Sequence, residues 1–361
     1  MLKKTLALAI VLAALALALP VALANTDTFD MPTQCTLTPN DNGCQAGLPT
    51  AHYQMLLDEM LMHPEPNVRP LAVNEAEITR FAFRRLANEG GTTLYDAPNG
   101  QPVGSIDPGF NYVSVRQLQD DWVQISGGQW VRNSDTVVTR PSDFAGVLLP
   151  AEGMDYTMAW VLVPSHPAPY PGAEADTARP RLERYTRVNI FESVEVDGWR
   201  WYLVGPDSWI RQTSVAKIML TERPAEVKGR WLAVDLYEQV LVAYDDTDTP
   251  VYATLISSGL PQWSTNEGTF QTWIRIANGS MSGAEGQTDF YSLQNVPWTL
   301  YFDGEISIHG TYWHDGFGYR HSHGCVNLTL TDSHWVYQWT LDGGYDLPWV
   351  HVYSTGEYAQ D

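Results

Sequence analysis

From about Arg80 onward the chain is written in short apolar and aromatic runs broken by Gly, Pro, Asn and Asp, and this texture admits few folds. Tyr112-Val113-Ser114-Val115 and Trp122-Val123-Gln124-Ile125 have strand-like composition and length. So do Trp231-Leu232-Ala233-Val234-Asp235-Leu236, Val240-Leu241-Val242-Ala243-Tyr244 and Val251-Tyr252-Ala253-Thr254-Leu255-Ile256-Ser257. The connections are too short for crossover helices, so an antiparallel meander is the expected arrangement of the last three. Helical periodicity is confined to Ala51–His63, stopped by Pro64 and Pro66, and to Asp332–Thr340, where Trp335, Val336 and Trp339 share one side. The expectation is a mainly β chain of several small units, with enough apolar content (44% hydrophobic) for real cores.

Composition then narrows the function. Forty-two acidic against 21 basic residues give a formal charge of −21, which repels phosphate and argues against a nucleic-acid partner or an anionic lipid surface. Lys3 and Lys4 precede an apolar run from Leu6 to Leu19, Pro20 ends it, and Ala22-Leu23-Ala24 offers a small-x-small cleavage site. This reads as an export signal over 1–24, the run being short for a membrane anchor, so no transmembrane segment is expected in the mature chain. In an oxidising compartment Cys35 and Cys44 would pair, leaving Cys325 as a lone thiol whose survival points to use of its reactivity.

Two middle stretches echo each other. Asp121-Trp122 leads through Gly127-Gly128 to Trp130-Val131-Arg132-Asn133-Ser134 and an exit at Arg140-Pro141. Gly198-Trp199 leads through Gly205-Pro206 to Trp209-Ile210-Arg211-Gln212-Thr213 and an exit at Arg223-Pro224. Two copies of one pattern indicate two related β-units. They resemble bacterial Src-homology-3-like barrels, the first more closely, with Leu94-Tyr95-Asp96-Ala97-Pro98 adding to the match. A wall-binding or spacer role is the functional reading; Trp122, Trp130, Trp199 and Trp209 are expected as core residues.

The chemistry-bearing residues cluster near the end. His309-Gly310-Thr311 closes the run Ile306-Ser307-Ile308, and Ser322-His323-Gly324-Cys325-Val326-Asn327 follows. Acyl transfer by sulfur needs an imidazole to take the thiol proton, a group to fix that imidazole's tautomer, and N–H donors for the oxyanion. His309 and Cys325 can supply the first pair, and Gly324 permits close backbone approach. No nucleotide loop or dinucleotide fingerprint is present, and no cofactor is expected. A zinc site from His309, His321, His323 and Cys325 is conceivable, but the packed Gly-Cys turn argues against it, and no metal is expected.

These two motifs resemble the signature of the L,D-transpeptidases with a YkuD-type catalytic domain. The likeness extends over about 229–352 and includes Gly268-Thr269-Phe270, Met281-Ser282-Gly283, Val296-Pro297-Trp298 and Asn327-Leu328. Asn327 stands where many members carry Arg, and Thr265-Asn266-Glu267-Gly268 replaces the usual Thr-Pro-x-Gly. The resemblance implies Cys325 as nucleophile and His309 as general base and acid, oriented by the carbonyl of Gly310. It implies oxyanion and loop-holding roles for His323 and Gly324, and places Trp313, Ser322 and Asn327 at the substrate. The implied partner is a peptidoglycan stem peptide and the implied product a 3→3 crosslink. L,D-carboxypeptidase or other wall-hydrolase activity, and a non-catalytic wall-binding role, are the alternatives.

The layout expected from the sequence is a signal over 1–24, a linker with a short helix over 25–79, and Src-homology-3-like modules over 80–141 and 142–225. A mixed β-sandwich catalytic domain with one late helix follows over 226–354. The acidic, exported chain would work at the cell wall, in the periplasm or outside the cell.

Overall fold

A computed structural model describes residues 34–342 and 347–356; the expected export signal lies outside the described residues. The chain is mainly β with few helices. Two large sheets and two three-stranded sheets account for most of it.

The seven-stranded sheet runs in hydrogen-bonded order Gly268–Gln271, Trp349–Tyr353, Trp231–Asp235, Val240–Tyr244, Pro250–Leu255, Val147–Leu148, Arg69–Pro70. The 231–255 meander is antiparallel as expected, but Trp231–Asp235 also pairs in parallel with Trp349–Tyr353, so the sheet is mixed. Trp231–Asp235 and Val240–Tyr244 are buried at every position. Leu232, Val234 and Leu241 face Leu300, Ile308 and Val326 of the second sheet and Val336 and Trp339 of the helix Leu330–Asp342. Ala233, Val240 and Val242 face Met158, Trp160 and Ala216 of the 142–225 unit. A sheet covered on both faces selects apolar residues on both, which is why these runs do not alternate.

The eleven-stranded sheet places Val326–Leu328, Ile306–Gly310 and Tyr291–Asp303 side by side, then continues into Phe110–Gln119 and the rest of the 82–139 strands. The first repeat unit is therefore joined by backbone hydrogen bonds, through Tyr291–Asp303, to the strands that carry His309 and Asn327. Within it Ala82–Leu86 pairs with both Phe110–Gln119 and the returning Thr136–Thr139, after a single 3-10 turn at Asn133–Asp135. The second unit repeats that plan, with Thr157–Val161 paired to the returning Val215–Lys217 after a 3-10 turn at Gln212–Ser214. The repeat is real in three dimensions, but neither unit closes into a barrel among the described residues. In the first, the start of Phe110–Gln119 pairs with Tyr291–Leu293 of the same large sheet. In the second, the strand breaks at Phe191 into Arg187–Ile190 and Glu192–Val196, which belong to separate three-stranded sheets. Trp122, Trp130 and Trp209 are core residues, whereas Trp199 is exposed beneath the Arg211 guanidinium, 4.4 Å from its ring.

The expected linker is no loose tether over its described part. Cys35 is joined to Cys44. The helix Thr50–Met62 buries Tyr53 and Met60 against Leu203 and Trp209, and the Tyr53 hydroxyl donates to Asp207 at 2.6 Å. Further on, Asn74 caps the helix Glu75–Ile78, and its own N–H donates to the Thr331 hydroxyl at 3.0 Å. Glu77 accepts from the Trp298 indole at 3.0 Å. Sequence periodicity cannot report such side-chain ties, which is why the segment reads as a linker.

Candidate active site

Strand alternation builds the site. Ile308 and Val326 are paired across adjacent parallel strands and both point into the sandwich core. Their neighbours Ser307, His309, Cys325 and Asn327 must then point to the opposite side. One position before the Ile308–Val326 pair, the Ser307 hydroxyl lies 3.6 Å from the Cys325 sulfur. One position after it, His309 is in register with Asn327. His309, Cys325, Asn327, Trp313 and His323 all line one cavity of about 570 Å3, a volume suited to a small ligand or a peptide segment.

His309 is 2% exposed. Its Nδ1 lies 3.2 Å from the Gly310 carbonyl oxygen, which can only accept, so Nδ1 carries the proton and Nε2 keeps its lone pair. Burial pulls the imidazole down to about 4, the Gly310 hydrogen bond opposing it. Burial also raises the Cys325 thiol, against the Ser307 hydroxyl and backbone amide, which favour the thiolate. Both shifts favour the uncharged forms, so the resting site at neutral pH is a thiol beside a neutral imidazole.

The turn carrying the sulfur is tied from within. The Ser322 hydroxyl donates to the Cys325 carbonyl at 2.5 Å and accepts the Gly324 N–H at 3.0 Å. The Thr265 hydroxyl donates to the Gly324 carbonyl at 2.8 Å. Gly324 has φ +117°, a conformation open to glycine. Ser322 thus builds the turn even though it also lines the cavity, and the Gly324 amide is spent on that turn. His323 is exposed and lies against Trp263, ring centroids 3.8 Å apart. Gly310 is equally constrained, since a Cβ there would fall 2.6 Å from Ser333 Oγ and 2.8 Å from Pro297 Cγ.

Asn327 is 1% exposed. Its amide meets His314 Nε2 at 3.0 Å, while His314 Nδ1 accepts the Gly316 N–H at 2.9 Å. Burial keeps His314 well below the usual imidazole range, with His321, His309 and Arg184 acting the same way, so the ring is neutral and its one proton sits on Nε2. That N–H requires an acceptor, so the Asn327 oxygen faces His314. The NH2 then takes the buried position that has no protein partner. His314 and His321, stacked at 4.2 Å, are thereby part of the site's support. Sequence reasoning missed Ser307, Trp263 and the His314–Asn327 pair. The period-two spacing of Ser307 and His309 was the available signal for the first.

Residues 229–352 match the family model of the L,D-transpeptidase catalytic domain, YkuD. The putative L,D-transpeptidase YciB of Bacillus subtilis is 30% identical over 128 residues, covering 31% of this chain and 61% of that protein. The chain therefore spans less than two thirds of that relative's length. An L,D-transpeptidase structure from Stackebrandtia nassauensis shares 22% identity with a TM-score of 0.30, covering 38% of this chain and 60% of that one. A mutant Enterococcus faecium L,D-transpeptidase shares 24% identity with a TM-score of 0.31, covering 35% and 50%. Residues 229–352 are thus similar to the YkuD-type L,D-transpeptidase catalytic domain, and both motifs lie inside the matched stretch.

Proposed function

We propose that the chain is an exported L,D-transpeptidase that crosslinks peptidoglycan stem peptides through a Cys325 thioester. The observation that carries the reading is the opening of Cys325 and the Nδ1-protonated His309 onto one cavity. In the first half-reaction Cys325 Sγ attacks the carbonyl that joins the diamino acid to the terminal D-alanine, and the thiol proton passes to His309 Nε2. A buried imidazolium is a strong acid, so the burial that lowers His309 drives that proton onward to the departing D-alanine amine. The C–N bond breaks and a thioester remains. In the second half-reaction a stem amine gives its proton to His309 and attacks the thioester. The new amide is the 3→3 crosslink, and the sulfur recovers its proton.

Ser307 would stabilise the sulfur as it gains charge, from 3.6 Å. With the Gly324 amide engaged in the turn, the Cys325 N–H is the candidate oxyanion donor. The Asn327 NH2 would donate to a carbonyl of the stem peptide. Export by the 1–24 signal, and Src-homology-3-like ancestry for the 80–141 and 142–225 units, belong to the same proposal. The charged leader and the repeated strand plan support them.

Incubation with a disaccharide-tetrapeptide tests the reading. Dimer with released D-alanine, absent in Cys325→Ala, is the expected outcome. Tripeptide without dimer would make the chain a hydrolase, and unchanged crosslinking by Cys325→Ala would reject the mechanism.

A further inference from the structure

We infer that the first repeat unit is a fixed wall of the catalytic cleft, and that Phe110 contacts the stem peptide bound there; this rests on the reading above. The cavity that holds Cys325 is not formed by the catalytic strands alone. Gly109 and Phe110, from the 82–139 unit, line it together with Phe290 and Tyr291 of the catalytic hairpin. The junction is backbone to backbone: the Phe110 N–H donates to the Phe290 carbonyl at 2.9 Å, and Phe110–Tyr112 pairs in parallel with Tyr291–Leu293.

Side chains extend the seam on both sides of that ladder. Gln294 Oε1 accepts the Ser114 N–H at 3.2 Å, and the Asn295 amide donates to the Ser126 hydroxyl at 3.2 Å and to Ser114. Tyr112 then reaches the catalytic motif itself. Its hydroxyl donates to the Trp313 carbonyl at 3.4 Å, and the Trp313 ring lies 5.7 Å from His309. A tethered spacer would need neither the shared strand edge nor these hydrogen bonds along the wall of the cleft.

Phe110 is the residue left to meet substrate. It is 41% exposed, a large apolar ring standing at the cavity although Tyr112 next to it is buried. The ring lies 4.9 Å from that of Tyr112, which holds it in place against the hairpin. Gly109 is the point of closest approach, since a Cβ there would sit 2.2 Å from the Phe290 carbonyl oxygen. Adding one methyl group at Gly109 therefore pushes the wall and the hairpin apart, its clash falling on Phe290 and not on His309 or Cys325.

The test compares wild type, Phe110→Ala, Phe110→Tyr and Gly109→Ala. It measures KM and kcat for a disaccharide-tetrapeptide, its Kd on a Cys325→Ala background, and alkylation of Cys325 by iodoacetamide. Phe110→Ala should raise KM and Kd about tenfold, the loss of one aromatic contact, with kcat nearly unchanged and alkylation as in wild type. Phe110→Tyr should restore both. Gly109→Ala should do the same as Phe110→Ala and also speed hydrogen exchange at Tyr291–Leu293. Wild-type KM and Kd in Phe110→Ala and Gly109→Ala, with an active wild type, would overturn the inference and leave the transpeptidase reading standing. A wild type that neither turns over nor binds the tetrapeptide would remove both.

Discussion

The burial of His309 has a consequence for stability that can be worked from the structure. The imidazole is held at about 4 when folded and takes its ordinary value of 6.5 when the chain unfolds. Between these values the unfolded state binds more protons than the folded one, so stability falls as pH falls. The contribution is fully present above 6.5 and is lost progressively down to about 4. Linkage puts the loss at about 2 kcal/mol by pH 5 and about 3 kcal/mol by pH 4, a large share of the stability of an ordinary domain. His309→Gln removes this titration while keeping a side-chain amide that can donate to Gly310. The assay is urea unfolding of both proteins at pH 7.5 and pH 5. Wild type should lose about 2 kcal/mol more than His309→Gln over that interval. His314, also held neutral chiefly by burial, titrates in both proteins; burial and His321 outweigh the His309 contribution to its shift, so most of its effect cancels in the difference. Parallel losses in the two proteins would refute the buried-imidazole reasoning.

Because burial raises the Cys325 thiol, its alkylation rate should keep climbing into the alkaline range, and Ser307→Ala, which removes a group favouring the thiolate, should move the profile further that way; a plateau below neutrality would show a preformed ion pair instead. Gly310→Ala should displace the carbonyl that orients His309 and lower kcat on the order of 100-fold, measured on the tetrapeptide, since a misplacement of about 1 Å is enough for such a loss. Asp332 is fully buried and accepts from the Tyr252 and Thr254 hydroxyls and the Gly146 N–H. Asp332→Ala should therefore cost about 3 to 5 kcal/mol in thermal or urea unfolding, three donors being left without an acceptor.

That His309 and Cys325 line one cavity was legible in the sequence because the pattern is rare: one lone thiol, one histidine at a strand end, and glycines where the backbone must turn. The strands 231–255 were legible because burial on both faces leaves continuous apolar runs. What the sequence hid was everything decided by distant partners. Ser322 looked like a substrate contact, yet its hydroxyl closes the turn between the Gly324 amide and the Cys325 carbonyl. Trp199 looked like core because its counterpart in the other copy, Trp122, is core; it stands exposed under Arg211. The 80–141 unit looked like an independent module because its repeat pattern is complete in itself. Only the pairing of Phe110–Tyr112 with Tyr291–Leu293 reveals that it shares a sheet with the strands of His309 and Asn327.

The central claim is that Cys325 carries the acyl group. Intact-protein and peptide mass spectrometry after brief exposure to the disaccharide-tetrapeptide, without an acceptor amine, tests it most directly. The account predicts one adduct with the mass of the tetrapeptide donor less D-alanine, mapped to Cys325 and labile to hydroxylamine. Turnover without any adduct, or an adduct that persists in Cys325→Ala, would contradict it.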